Sequence, residues 1–121
     1  MKTHKDLLVY QKSIFFVANI YEITMNFPRE EIYGIISQMR RAAVSIPSNI
    51  AEGAARQSNK EFVQFLHISL GSINELDTQL EISRIIGFIN EERVKDLQKD
   101  LGSLKQMLLG LIKSIKNKSK M

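Results

Sequence analysis

Arg40, Arg41, Arg56 and Lys60, with Lys113, Lys116, Lys118 and Lys120, are the side chains whose types and spacing could do chemistry. That chemistry is phosphate recognition. Guanidinium and ammonium groups gathered on one surface neutralise a nucleic-acid backbone and fix its position. The first four fall within the stretch from Ser37 to Phe62, SQMRRAAVSIPSNIAEGAARQSNKEF. There Gln38, Arg41, Ser45, Ser48, Glu52 and Arg56 form a polar stripe at helical spacing. The plainer reading of that stripe is a solvated or inter-subunit face, with Glu52 and Arg56 an i,i+4 ion pair worth about a few tenths of a kcal/mol. The alanines 42, 43, 51, 54 and 55 let a helix approach a neighbour closely, inside one subunit or between two.

Other chemistries lack their residues. With no cysteine, disulfides and thiolate metal sites are excluded. His4 and His67 are too few for a histidine-rich metal centre, and neither completes a Glu-x-x-His pair of the di-iron kind. A bundle ribonuclease with an arginine followed four to six residues later by histidine is not matched, since Arg56 and His67 stand further apart. Phosphate-binding glycine loops and nucleophile elbows are absent. Glu75, Asp77 and Glu81 read as a solvated face, and His67 as a half-buried packing residue. The expectation is a protein that is not an enzyme, with no catalytic residue, metal, cofactor or small-molecule substrate.

The elements that must position the cations are all helical. Helix one spans about residues 5–25, with Leu7, Ile14, Ala18, Tyr21 and Met25 on one stripe. Leu8, Phe15, Phe16, Val17, Ile20 and Ile23 widen that stripe beyond a normal amphipathic face, which predicts a second neighbour, such as another subunit. Pro28 suits the first position of helix two, with Glu30 and Glu31 in its first turn. Ile32, Ile36, Met39, Ala43, Ile46 and Ile50 give that helix a heptad seam that continues across Pro47, so a kinked helix is expected. It ends near Arg56 and Gln57. Ser58 and Glu61 form a capping box opening helix three, whose seam is Phe62, Leu66, Ser69, Ile73, Leu76, Leu80 and Ser83. Gly87 stops it, and Asn90 opens helix four, with its seam at Val94, Leu97, Leu101, Leu104, Leu108, Leu111 and Ile115. Short connections force sequence neighbours antiparallel. The fold class is all-α, an up-down-up-down four-helix bundle over residues 1–115, followed by a disordered basic tail over 116–121.

A chain of 121 residues with 44% hydrophobic and 25% charged residues is one ordinary globular domain. Its net charge of +4 is local. Residues 113–121 carry four lysines and no acid; the remaining thirteen basic residues balance the thirteen acids. No apolar run approaches the ~18 residues of a membrane span. No secretory cleavage signal follows the run IFFVANIY, so a cytoplasmic protein without a membrane partner is expected.

The segments DLLVYQKS, FPREEIYGIISQMRRAAVSIPSNIAEGAAR and EFVQFLHISLGSINELDTQLEISRIIG carry a family resemblance. They resemble the small bacterial four-helix bundle proteins first noted in open reading frames within intervening sequences of 23S ribosomal RNA genes. The most specific part runs from Gln38 to Gly53, and the likeness covers about residues 6–89, with helix four fitting by pattern. That family is similar in fold to the accessory variability protein of diversity-generating retroelements, a pentameric ring that binds nucleic acid and works with a reverse transcriptase. The resemblance implies a homopentamer with RNA or DNA as partner, and it brings no catalytic residues. The expected function is non-enzymatic nucleic-acid binding by an oligomer through the Arg/Lys cluster and basic tail. A protein–protein adaptor is the alternative.

Overall fold

In the computed structural model, which describes residues 3–119, four helices follow a 3₁₀ turn at His4–Asp6. They are α1 (Leu8–Thr24), α2 (Ile35–Ala54), α3 (Asn59–Ile85) and α4 (Glu91–Ser119), and no strand occurs among the described residues. The up-down-up-down bundle is as expected. α2 and α3 pack most extensively, and α1 meets α4 only sparsely. At 1.5 Å per residue α1 is about 25 Å long and α4 about 43 Å, so α1 covers only part of its longer neighbours.

The helix ends follow from local chemistry. The Ser58 hydroxyl accepts from the Glu61 amide at 3.1 Å, and the Asn90 side-chain oxygen accepts from the Arg93 amide at 2.8 Å. Each satisfies a donor that the first helical turn leaves unpaired. α3 closes with a Schellman pattern: the Phe88 amide donates to the Ser83 carbonyl at 2.9 Å, and the Gly87 amide to Arg84 at 3.1 Å. That turn needs Gly87 at φ +87°, a left-handed conformation in which a side chain would be strained.

α2 begins later than its sequence suggests. Pro28 opens a separate 3₁₀ turn at Arg29–Glu31, and the helix proper starts only after Gly34. Glu31 therefore does not sit in the first turn of α2. Its carboxylate accepts from the Ile35 amide at 3.4 Å, capping the helix from outside. Pro47 lies inside α2 without ending it. Around it, Asn49 Nδ2 donates to the Ser45 carbonyl at 2.8 Å, and Ser69 Oγ of α3 donates to the Ile46 carbonyl at 2.9 Å. Ser72 Oγ donates to Ser45 Oγ at 2.7 Å, giving the α2–α3 seam a second polar link.

The seams of α3 and α4 are buried as read, except that Leu111 is half-buried and Ile112 joins the core beside it. On α2, Ile32 is exposed and the rest of the seam is buried. α1 corrects the sequence reading. Its buried face is Val9, Ser13, Phe16, Ile20 and Ile23, whereas Ile14, Ala18, Tyr21 and Met25 are exposed and Leu7 is half-buried. His67, expected to be half-buried, is exposed as well.

The sequence places the end of the bundle at Ile115. Helix α4 runs on through Lys116 and Lys118 to Ser119, and Lys120 lies outside the described residues. No helix among the described residues is long and apolar enough to cross a membrane.

Candidate nucleic-acid interface

The eight expected phosphate-binding residues divide into two groups. Arg40 and Arg41 lie near the start of α2, and Arg56 lies just past its end. Fifteen helical residues from Arg41 to Arg56 correspond to about 22 Å, so the four cations of the Ser37–Phe62 stretch do not gather. Arg40 is turned inward toward α1. Its Nε donates to Thr24 Oγ1 at 2.9 Å, one terminal nitrogen donates to the Tyr21 carbonyl at 3.4 Å, and the guanidinium lies 4.6 Å from the centre of the Tyr21 ring. Arg41 is exposed on the other side of α2, in a cleft of about 360 Å³ shared with Gln38, Ser45, Ser72 and Glu75.

Arg56 and Lys60 belong to the other end of the molecule. Because α3 and α4 are antiparallel and close through residues 86–90, the first turn of α3 is level with the last turns of α4. Glu81 of α3 accepts from Gln98 of α4 at 3.4 Å near the closed end, which fixes that register. Counting back from there puts Lys60 level with the last turn of α4, which carries Lys116 and Lys118, with Lys113 within about two turns of it; all four are exposed. The turn from α2 to α3 adds Arg56, and the 3₁₀ turn before α1 adds Lys5, which packs near the end of α2. Six cations thus share one end of the bundle with the acids Glu52 and Glu61. The opposite end carries Glu30, Glu31, Glu81, Glu91 and Glu92, interleaved with the fewer cations Arg29, Arg84 and Arg93. There the Arg84 side chain, hydrogen bonded at 2.9 Å, holds the Glu81 carboxyl below the ordinary carboxylate range, with a smaller contribution from Gln98. The charge asymmetry is therefore lengthwise.

Arg56 is partly engaged. It pairs with Glu52 at 3.2 Å and stacks 4.8 Å from the Phe65 ring centre. An exposed i,i+4 pair is worth well under about 1 kcal/mol, so exchange of Glu52 for a phosphate costs little. The stack fixes the guanidinium plane at the bundle edge. Lys5 was not singled out by sequence. Its signal is topological, since the start of α1 and the end of α2 must coincide in an antiparallel pair. No group of three or more potential metal-ligating side chains occurs among the described residues.

No curated protein is similar enough in sequence to count as a relative. In structure the bundle is similar to a protein of unknown function from the S23 ribosomal protein family of Bacteroides thetaiotaomicron. The two are 28% identical with a TM-score of 0.78, and the match covers 88% of this chain and 99% of that one. A model of the 23S rRNA-intervening sequence protein family matches residues 5–110, which takes in all of α1, α2 and α3 and most of α4. On that match the chain belongs to the 23S rRNA-intervening sequence protein family.

Proposed function

We propose that the chain is a non-enzymatic nucleic-acid-binding bundle that works in the cytoplasm as a homo-oligomer, with its basic end as the contact surface. The observation that carries this reading is the convergence of Lys5, Arg56, Lys60, Lys113, Lys116 and Lys118 from four separate segments onto one end. A solvated face of a neutral bundle would balance its charges along its length. Here cations outnumber acids at one end and acids outnumber cations at the other, which orients the protein in the field of a polyanion. Arg40 and Arg41 fall outside this surface. The test is a gel shift with single-stranded RNA and duplex DNA over a salt series. Contact with four phosphates predicts an apparent affinity falling with log salt at a slope of about −3 for single strands and about −3.6 for duplex. No retardation of either nucleic acid at low salt overturns the reading.

Oligomerisation is supported by α1. Leu8, Phe15 and Met25, at 55%, 74% and 75% exposure, form an outward apolar stripe with Ala18, and Ile14 and Tyr21 flank it. Large apolar side chains left uncovered on one helix mark an association surface. The family resemblance makes a ring of five the expected state. Light scattering on a sizing column is expected to give a multiple of the 13.9 kDa subunit, and a monomer mass at micromolar concentration refutes it. The same stripe also supports the second reading, a protein–protein adaptor, in which another protein covers α1.

A further inference from the structure

We propose that a cleft at the acidic end of the bundle, between the end of α1 and the start of α2, binds a protein segment presenting one carboxylate beside an apolar side chain. The cleft measures about 430 Å³ and is lined by Thr24, Met25, Phe27, Arg29, Ile32, Ile36 and Arg40. It lies at the far end from the proposed nucleic-acid surface and is independent of it.

Three features give the cleft this specificity. First, Arg40 is half-buried and has no acidic partner among the described residues. Its two hydrogen bonds to Thr24 and Tyr21 occupy two of the five N–H donors of a guanidinium and leave three for a ligand. A partly desolvated cation without a counter-charge is unfavourable, and a carboxylate brought to it is held more strongly than on an open surface. Second, the guanidinium is already oriented. Thr24 is 1% exposed, and its hydroxyl is fixed by donating to the Ile20 carbonyl at 2.7 Å. The Tyr21 ring supports the other side. Little side-chain freedom is left to lose on binding. Third, the other lining residues are apolar apart from Arg29, an exposed second cation. Phe27 and Ile36 are buried beneath, and Met25 and Ile32 rise at the rim.

The surroundings decide the class of partner. Tyr33, at 94% exposure, and Ile85 and Ile86 leave further apolar surface at this end, more than a small carboxylate could cover, which points to a protein segment. Glu22, Glu30 and Glu31 lie around the same end. They disfavour a polyanion such as RNA while leaving room for a single carboxylate that reaches the arginines.

The probe is the peptide acetyl-Leu-Asp-Leu-Phe-amide, titrated into the full-length ¹⁵N-labelled protein and followed by amide and arginine Nε–H shifts. Saturable shifts are expected at Thr24, Ile36 and the Arg40 Nε–H, with the Asn-for-Asp peptide at least tenfold weaker. Arg29→Gln and Ile32→Asp change exposed residues, so folding is retained, and each is expected to weaken binding at least threefold. Arg40→Gln should abolish it. Absence of shifts at millimolar peptide, equal binding of the Asn peptide, or shifts confined to other surfaces each overturns the proposal. So does displacement of the cleft shifts by a short RNA, which would make the cleft a nucleic-acid contact. None of these outcomes alters the gel-shift result expected at the basic end.

Discussion

Replacing Gly53 by valine is expected to destabilise the bundle by about 3 kcal/mol, the upper part of the range for overpacking a tight contact. Gly53 is buried near the end of α2, where the helix lies against the first turns of α3. A Cβ built there would stand 2.7 Å from Phe65 Cβ, 3.0 Å from Phe62 Cδ1 and 3.2 Å from the Phe62 carbonyl oxygen. Two of these atoms are backbone or next to it, so rotating a side chain does not relieve the clash; α2 and α3 must move apart. Gly53→Ala meets the same atoms, but greater helix propensity offsets about 1 kcal/mol of the loss. The order expected in urea unfolding is Gly53 most stable, then alanine, then valine. A valine variant as stable as the parent would show that this closest approach of α2 and α3 is not tight. Gly102 and Gly110 provide the contrast: nothing lies within 4 Å of a Cβ at either position, so alanine there is expected to be neutral or mildly stabilising.

The same contact shows how unevenly the structure was legible in the sequence. In α4 the leucine seam sets both period and phase. In α3 the large residues Phe62, Leu66, Ile73, Leu76 and Leu80 do so despite buried serines and exposed isoleucines. Both seams are therefore buried where expected, apart from Leu111. In α1 the period is readable but the phase is not. Two apolar stripes compete, and the true core stripe is disguised by Ser13 and Thr24. Both hydroxyls satisfy themselves on the preceding turn, Ser13 donating to the Tyr10 carbonyl at 2.8 Å and Thr24 to Ile20 at 2.7 Å. They are thus buried at little cost, and hydropathy assigns them to the surface. The start of α2 was misplaced for a related reason. Pro28, Glu30 and Glu31 have the composition of a first helical turn, but Gly34 breaks the chain between them and the helix.

The basic residues were legible as types and misleading as neighbours. Arg40, Arg41, Arg56 and Lys60 are close along the chain and look like one patch. The length of α2 separates the first two from the last two by about 20 Å, on the order of half the length of α4. Arg40 moreover answers to Thr24 and Tyr21 of α1, a pairing that no local pattern announces. Lys60 and Lys116, by contrast, are far apart in sequence and share one end of the bundle because α3 and α4 are antiparallel. Cationic surfaces on bundles follow the ends of helices more than runs of sequence, since only there do all four segments contribute at once.

The strongest functional consequence concerns that end. The triple variant Lys60→Gln, Lys113→Gln, Lys116→Gln is expected to lose about 100-fold in affinity for single-stranded RNA at 0.1 M salt. Three fewer phosphate contacts lower the salt slope by about 2, and at 0.1 M that difference is a factor of about 100 in the binding constant. All three lysines are exposed, so the fold should be unchanged, as circular dichroism would confirm. Lys99→Gln changes the same charge on the same helix but in its first half, away from the basic end and with Asp96 and Asp100 near it in sequence, and is expected to cost less than twofold. Arg41→Gln, exposed in the cleft beside Glu75, should behave like Lys99→Gln. The discriminating quantity is the change in slope, measured by gel shift from 50 to 300 mM salt, because a loss of folding would lower affinity without the stepwise loss of slope that follows each lysine removed. If Arg41→Gln lowers the slope and the triple variant does not, the nucleic acid lies along α2 and the basic end has another use. If neither does, the charge asymmetry serves assembly between copies, and the exposed stripe of α1 becomes the surface that defines the protein.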